Sequence, residues 1–221
     1  MTDPLIRRIK KKPDFIRLLE KAWGIFYFEG SGPDIGIRRE SFFKEALKEE
    51  LGLKIREAPT LERQVDFYIQ IDKKWHPYSL KTMESIGTLK VSWNSFPDVE
   101  RLREAARSFK FKAPIIFIYR NGICVFEVED LERVRRELGF ASFWAIPRQE
   151  VNPRGFGIRS GALRKLIEIA KQKGNFIEIT GERIEDENAR KEYFKRWFKF
   201  IKEFIKDLPR ILSKSSLKEY M

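Results

Sequence analysis

Val65-Asp66-Phe67-Tyr68-Ile69-Gln70-Ile71 is the stretch that decides the fold, together with Tyr78-Ser79-Leu80-Lys81 a few residues further on. Apolar and polar residues alternate in the first segment, which is the period of a half-buried β-strand. The polar residues Asp72-Lys73-Lys74 predict a turn between the two segments. Two consecutive strands joined by a short turn therefore form the centre of the predicted structure.

The polar side chains of these strands fall on one face. Successive side chains of a strand point to opposite faces, so Asp66 faces away from Val65 and Phe67. By the same rule Ser79 and Lys81 share a face. If the strands pair, Asp66 and Lys81 converge on one spot. A carboxylate can bind Mg²⁺ through oxygen, and a lysine can orient the attacking water and offset developing charge, as phosphodiester hydrolysis requires.

The surrounding segments predict an α/β fold. A helix is predicted at about Ile37–Leu51, and a third strand near Thr88–Trp93. Next come a helix ending near Phe109 and a hairpin around Asn121-Gly122. A further strand is predicted at Ala141–Ile146. The expected architecture is a small mixed central sheet flanked by helices, with a helical C-terminal part.

This order of elements resembles the PD-(D/E)XK nuclease superfamily, which includes many type II restriction endonucleases and archaeal Holliday-junction resolvases. The resemblance extends over roughly Gly36–Glu129. It implies that Asp66 is the acidic metal ligand of the first catalytic strand, that Lys81 is the lysine of the final half-motif, and that Mg²⁺ is the cofactor. Ser79 departs from the pattern, because the family usually has Asp or Glu there. Some restriction enzymes resemble this chain in having Ser-x-Lys and recruiting another carboxylate.

Two glutamates of the predicted helix are candidates for that second carboxylate. From the residues alone, Glu40 lies at the edge of the apolar stripe, whereas Glu50 lies near its middle, four residues after Ala46 and three after Leu47. The stretch Gly36–Glu40 looks like the first-helix motif of many such nucleases, in which a Glu assists metal binding. The resemblance therefore favours Glu40 and keeps Glu50 as the alternative.

The composition of the chain favours a polyanionic partner. Its 221 residues include 45 Lys and Arg against 33 Asp and Glu, which gives a net charge of +12 and a pI near 9.7. A single cysteine, Cys124, and a single histidine, His76, exclude an internal disulfide, a four-cysteine zinc site and a histidine metal cage. No apolar run approaches the ~18 residues of a membrane span. We expect a cytoplasmic protein of a prokaryote with no membrane partner, and the composition leans towards a thermophilic source.

A second motif combines glycines with cations: Arg154-Gly155-Phe156-Gly157-Ile158-Arg159-Ser160-Gly161, followed by Arg164 and Lys165. Glycines let a backbone approach a phosphate, and arginine can read guanine edges in the major groove. Double-stranded DNA contacts are therefore predicted for Arg154, Arg159, Arg164 and Lys165, although a basic surface loop has the same composition. Nothing in the chain resembles a P-loop, so no nucleotide cofactor is expected.

These features together predict a type II restriction endonuclease. One nuclease domain is expected over residues 1–221, with a catalytic core at about 36–129 and a DNA-recognition and helical part at about 147–221. Cutting both strands of a palindromic site is simplest with two-fold symmetry, so a homodimer is expected. The aromatic stripe of a helix predicted at Asp186–Leu208 could be core or dimer interface. A Holliday-junction or repair nuclease of the same fold and an inactive basic DNA-binding module are the alternatives.

Overall fold

A computed structural model describes residues 2–26, 33–59, 61–148, 153–181 and 185–214. Seven helices and nine strands lie within these residues. The helices are α1 (Pro4–Lys10), α2 (Pro13–Phe26), α3 (Pro33–Glu49), α4 (Val99–Ser108), α5 (Val128–Phe143), α6 (Ser160–Gln172) and α7 (Glu187–Lys214). The strands are β1 (Lys54–Glu57), β2 (Phe67–Ile71), β3 (Lys74–Thr82), β4 (Leu89–Lys90), β5 (Ile115–Tyr119), β6 (Gly122–Phe126), β7 (Trp144–Ala145), β8 (Gly157–Ile158) and β9 (Phe176–Glu178).

Six strands form the central sheet, in the order β1-β2-β3-β5-β6-β9. All neighbours run antiparallel except β3 and β5, which run parallel. A parallel pair requires a crossover connection, and this one contains β4 and α4. The hairpin predicted at Asn121-Gly122 joins β5 to β6. The sheet is therefore mixed, as the sequence predicts.

The two faces of the sheet bury two separate hydrophobic cores. On one face Ile116 and Ile118 of β5 pack with side chains of α1, α2 and α3. On the other face Ile115, Phe117 and Tyr119 pack with side chains of α4, α5 and α6. Every residue of β5 is thus buried, which explains why its sequence is continuously apolar rather than alternating. Helices cover both faces, so the predicted fold class is confirmed.

The predicted third strand is not part of the central sheet. Of Thr88–Trp93, only Leu89 and Lys90 form a strand, and they pair with β8 in a small three-stranded sheet of order β4-β8-β7. Leu89 is buried among the side chains of the second core. Its apolar character comes from that packing, and the sequence alone cannot distinguish it from a place in the main sheet.

Half of the strand predicted at Ala141–Ile146 is helix. Helix α5 continues to Phe143 across an interruption at Gly139, whose φ of 70° is readily adopted by glycine. Only Trp144 and Ala145 form a strand. The apolar run that predicts a strand is instead a buried helix end, because short apolar runs do not distinguish the two structures.

The chain forms two compact units, residues 1–182 and 183–221. The second unit contains α7, which continues past the predicted end at Leu208. Its aromatic stripe is exposed rather than buried, and the side chains concerned are Phe194, Trp197, Phe198, Phe204 and Ile205. No helix within the described ranges is long and apolar enough to cross a membrane. The single nuclease domain and the homodimer stay predictions.

Candidate active site

Strands β2 and β3 bring Asp66 beside Lys81. Phe67 pairs with Tyr78 in the antiparallel register, and the Asp66 N–H donates to the Tyr78 carbonyl at 2.9 Å. This bond extends the ladder one residue beyond β2 and fixes the Asp66 side chain over Ser79. The Lys81 ammonium then lies 3.1 Å from the Asp66 carboxylate. The convergence that strand alternation predicts is therefore present. We call Asp66, Ser79, Lys81 and Glu40 the Asp66–Lys81 cluster.

The two oxygens of the Asp66 carboxylate have different surroundings. Oδ2 accepts three hydrogen bonds, from Ser79 Oγ at 2.9 Å, from the Leu80 N–H at 2.6 Å and from Lys81 Nζ at 3.1 Å. Oδ1 accepts none from the described residues, and the side chain keeps 40% of its surface exposed. One oxygen therefore fixes the orientation of the carboxylate and the other is available to a ligand.

Lys81 is also only partly satisfied. Its ammonium donates to Asp66 Oδ2 and to the Leu80 carbonyl at 2.9 Å, and its side chain is 21% exposed. An ammonium has three donors, so one N–H is left for a further acceptor. The lysine is thus held in place and still has one donor for a ligand.

Ser79 supports Asp66 rather than replacing an acid. The side chain is 6% exposed, and its hydroxyl donates to Asp66 Oδ2. Because that proton points to Asp66, the serine helps to orient the first carboxylate. A second carboxylate at the site must come from another element.

Glu40 of α3 is electrostatically coupled to this pair. Burial raises the pKa of the Glu40 carboxyl to about 7; the positive charge of Lys81 opposes the rise and the negative charge of Asp66 adds to it. Glu50, the alternative, lies beyond the end of α3 and is exposed. The placement of Glu50 near the middle of the apolar stripe is therefore wrong, because the residue follows the last one of α3 and faces solvent. Glu40 is the helix glutamate that belongs to the cluster.

The donor set fits a magnesium ion. Among the described residues no group of three or more His, Cys, Asp and Glu side chains could hold a metal ion, so an all-protein cage is absent there. Mg²⁺ does not need one, since it commonly binds one or two carboxylates and keeps several waters. The open Oδ1 of Asp66 is a hard oxygen donor of this kind, and Glu40, whose pKa Asp66 helps to raise, is a second carboxylate close enough to interact with it electrostatically.

Sequence reasoning missed a buried arginine next to Glu40. Arg39 is 7% exposed, and its guanidinium lies 2.9 Å from Glu84 and 4.8 Å from the ring centroid of Trp23. Glu84 is thereby engaged with Arg39 and lies 4.0 Å from Arg120. Arg39 precedes buried Phe43 by four residues, which was the available signal that it faces inward.

Gln64 is a second feature with no sequence signal. It lies two residues before Asp66 with a φ of 72°, a left-handed conformation that non-glycine residues seldom adopt. Its Oε1 is buried and has no hydrogen-bond partner among the residues described. Such local strain is commonly found at functional sites.

The second motif has a different environment. We call residues 153–159 the glycine–arginine loop. A Cβ on Gly155, whose φ is 60°, would lie 1.8 Å from the Ser92 carbonyl oxygen, and one on Gly157 would lie 2.5 Å from that of Leu89. Arg159 Nε donates to the carbonyls of Ala141 and Trp144 at 2.7 and 2.8 Å. These glycines allow close approach to the protein's own backbone, which the sequence could not distinguish from approach to a phosphate.

The remaining predicted DNA contacts are all exposed cations. Arg154 is exposed on the loop, and its side chain makes no hydrogen bond or ion pair with the described residues. Arg164 of α6 lines an open cavity of about 690 Å³ that Arg120 also lines. Lys165 pairs with Glu137 at 2.6 Å. Their contact with DNA stays a prediction.

No protein-family model matches the chain, and no curated protein matches it. Among solved structures, the chain is similar to one described as "Restriction endonuclease in complex with substrate DNA". The superposition covers 88% of this chain and 94% of that chain, with a TM-score of 0.53 and 20% sequence identity. A likeness at this identity shows a shared fold. The expected restriction-endonuclease-like fold is thereby confirmed.

Proposed function

We propose that the chain is a magnesium-dependent type II restriction endonuclease, which hydrolyses phosphodiester bonds in a short, specific site of double-stranded DNA. The observation that carries the proposal is the Asp66 carboxylate, with one oxygen held by three donors and the other open. An oriented carboxylate with an open oxygen, next to a lysine with a free N–H, is an arrangement suited to metal-assisted phosphodiester hydrolysis. The shared fold and the net charge of +12 support the same function.

Each residue of the Asp66–Lys81 cluster has a role in this proposal. Asp66 Oδ1 and Glu40 would hold Mg²⁺, which when bound stabilises negative charge on a phosphate. Lys81 uses its remaining N–H to orient the attacking water or to contact a phosphate oxygen. Ser79 is a positioning residue, because it reaches the reacting groups only through Asp66. The charge of the cation would also offset the cost of burying an ionised Glu40 beside Asp66.

Double-stranded DNA and a second copy of the chain are the proposed partners. The excess of Lys and Arg supplies the sequence-independent part of DNA affinity. A homodimer would present two copies of the cluster to the two strands of a symmetric site. The exposed aromatic stripe of α7 offers apolar surface for such an assembly. Light scattering with and without DNA checks this part, and monomers under both conditions would contradict it.

The deciding experiment is digestion of a plasmid of known sequence by the whole chain. We expect discrete bands with Mg²⁺, no cleavage with a chelator, and binding without turnover in Ca²⁺, since Ca²⁺ prefers looser and larger coordination. A smear would indicate a nuclease without site specificity. Intact plasmid at every metal concentration would reject hydrolysis and leave a DNA-binding module of the same fold.

A four-way junction added to the same assay separates the remaining alternative. A restriction enzyme cuts linear duplex at its site and gains nothing from the junction. Preferential cutting of the junction over its linear arms would instead identify a junction or repair nuclease.

A further inference from the structure

Trp93 presents a large aromatic surface to solvent. It follows strand β4, and 67% of the residue is exposed. Its neighbours Asn94 and Ser95 are also exposed, so no apolar patch surrounds it. A single exposed aromatic residue is ordinary on a protein surface. What distinguishes Trp93 is how it is held and which charges accompany it.

The backbone around Trp93 is paired on both sides with the glycine–arginine loop. The N–H groups of Val91 and Ser92 donate to the Phe156 carbonyl at 3.1 and 3.2 Å. Beyond the tryptophan, the Gly155 N–H donates to the Asn94 carbonyl at 2.9 Å, and Ser95 bridges Arg154. Four residues, two on each side of Trp93, are thus paired with a second segment. The exposure of Trp93 is therefore built into the fold and does not come from a loose loop.

Gly155 brings the two backbones together at this point. Its positive φ and its close approach to the Ser92 carbonyl leave no space for a side chain. A Cβ there would also lie 3.0 Å from the Trp93 Cα. The glycine that sequence analysis assigned to phosphate contact thus positions the residue that carries the exposed indole.

Two cations accompany the indole. Lys90 Nζ lies 5.2 Å from the Trp93 ring centroid and donates to the Arg154 carbonyl at 2.8 Å. The lysine therefore joins the tryptophan to the loop and places positive charge against the ring. The Arg154 guanidinium is exposed and makes no ion pair with the part of the chain that the structure describes. One positive charge therefore lies against the ring, and a second is carried by the loop residue whose backbone pairs with Ser95.

This combination matches one kind of ligand. Phosphates alone need only the cations, and an apolar protein partner needs neither Lys90 nor Arg154. A nucleotide strand presents both a flat base and flanking phosphates, and base stacking on aromatic side chains is a common mode of nucleic-acid binding. We propose that Trp93 inserts at a base step of bound duplex DNA and stacks on a base, with Lys90 and Arg154 on the adjacent phosphates. This inference rests on the proposed function, since it takes DNA as the substrate.

The test uses 2-aminopurine, a base analogue whose fluorescence rises when it is unstacked. A duplex is taken from the plasmid region that the protein cuts, and the analogue is placed at each position in turn. Binding is measured in Ca²⁺. The wild type and Trp93→Phe should raise the fluorescence at the base that loses its neighbour at the opened step and is not covered by the ring, and Trp93→Ala should not. Loss of the stacked ring should weaken binding about 5- to 150-fold.

Trp75→Ala is the matched control. Trp75 is also exposed, by 40%, and a cation also lies near its ring, with the Arg56 guanidinium 5.1 Å away. We expect DNA affinity and the fluorescence rise to stay within about twofold of the wild type. Equal losses for the two alanine variants would overturn the inference, because the effect would not belong to Trp93. Thermal denaturation should give similar Tm values for both, since neither side chain is core.

The two levels of the proposal fail in different ways. If the wild type binds and cuts duplex DNA but Trp93→Ala behaves like it in both fluorescence and affinity, only the stacking inference is overturned. If the wild type neither binds nor cuts duplex DNA, the proposed function fails and the inference falls with it. Unstacking that is lost in Trp93→Ala and retained in Trp93→Phe supports the insertion directly.

Discussion

The Asp66–Lys81 cluster and the glycine–arginine loop are both polar segments chosen from the sequence, but the structure uses them differently. In the cluster, Asp66 Oδ1 and one N–H of Lys81 are left without a partner among the described residues. In the loop, Gly155 packs against the Ser92 carbonyl, and Arg159 Nε is bound by two carbonyls. The cluster has hydrogen-bonding and ligand positions that are still open, whereas the glycine and arginine residues of the loop mostly contact the protein's own backbone.

The difference shows what a motif establishes by itself. Strand alternation fixes the direction of a side chain once the strands pair, so the spacing of Asp66 and Lys81 carried geometric information. A glycine in the sequence indicates only that another group approaches the backbone closely. It does not indicate whether that group is the protein's own backbone or a ligand. If the cluster carries out catalysis and the loop is mainly structural, substitutions in the cluster should lower DNA cleavage, and substitutions in the loop should lower stability.

Removing the charge of Asp66 or Lys81 should have the largest effect on activity. Asp66→Asn and Lys81→Ala should each lower the cleavage rate at least about a hundredfold, because each removes a group that contacts the ion or the reacting phosphate. DNA affinity in Ca²⁺ should change far less, since phosphate contacts elsewhere supply most of it. Single-turnover cleavage and binding assays on the same variants measure the two quantities.

The matched control for Asp66 is Asp72→Asn. Asp72 ends the same strand region at the β2–β3 turn, but its carboxylate is exposed and pairs with Arg8 at 2.7 Å. Removing this charge should leave cleavage unchanged, because exposed ion pairs contribute little to stability and Asp72 lies outside the cluster. Cleavage by Asp66→Asn at the wild-type rate would remove the cluster from the mechanism.

Gly155→Ala should be the most destabilising change in the loop. The alanine would have to adopt a left-handed φ, and its Cβ would overlap the Ser92 carbonyl oxygen. We expect the free energy of unfolding to fall by about 2–3 kcal/mol. Gly161→Ala is the control, since Gly161 has ordinary φ and no atom within 4 Å of the added Cβ. If Gly155→Ala keeps full stability but loses DNA binding, the loop approaches phosphate rather than protein.

The raised pKa of Glu40 predicts a specific dependence of stability on pH. Its carboxyl has a pKa of about 7 in the folded chain against 4.5 for an ordinary glutamate, so the folded state holds the proton more strongly. Its contribution to stability is therefore present below about pH 4.5 and is lost as the pH rises through 7. In a chelator, wild-type protein should lose about 2 kcal/mol more stability than Glu40→Gln between these limits.

Denaturation of both proteins at about pH 5 and about pH 8 measures this difference. Adding Mg²⁺ at about pH 8 should then stabilise the wild type more than Glu40→Gln, because only the wild type has an ionised carboxyl to bind it. Parallel pH profiles without metal would show that Glu40 is not buried as described. An equal response to Mg²⁺ would remove Glu40 from the metal site.

The sequence predicted the parts of the molecule that depend on local pattern. The strand pair around Asp66, the hairpin at Asn121-Gly122 and the mixed sheet all follow from alternation, turn residues and the order of elements. The contact between Asp66 and Lys81 was predictable for the same reason. The choice of Glu40 over Glu50 required the resemblance to a nuclease family, since helical spacing alone placed Glu50 nearer the middle of the apolar stripe.

The features that the sequence did not predict depend on contacts between segments that are distant in the chain. The pairing of Leu89 with Ile158 in a separate small sheet has no local signal, because any buried strand or helix end is apolar. The ion pair of Arg39 and Glu84 joins residues 45 positions apart. The left-handed conformation of Gln64 is imposed by its surroundings, since glutamine does not favour it.

The smallest expected effect separates two arginines that the sequence treated alike. Arg159→Ala removes the donor to the Ala141 and Trp144 carbonyls, which lie where α5 gives way to β7. It should cost about 1 kcal/mol of stability, since a hydrogen bond to a charged group on a partly exposed site is worth little more. Arg154→Ala should leave stability unchanged and weaken DNA binding, because that guanidinium has no partner in the described chain. Thermal denaturation and salt-dependent binding of the two variants distinguish these outcomes. If Arg159→Ala weakens DNA binding without changing the Tm, both arginines contact DNA. The loop would then be less important for stability than its geometry implies.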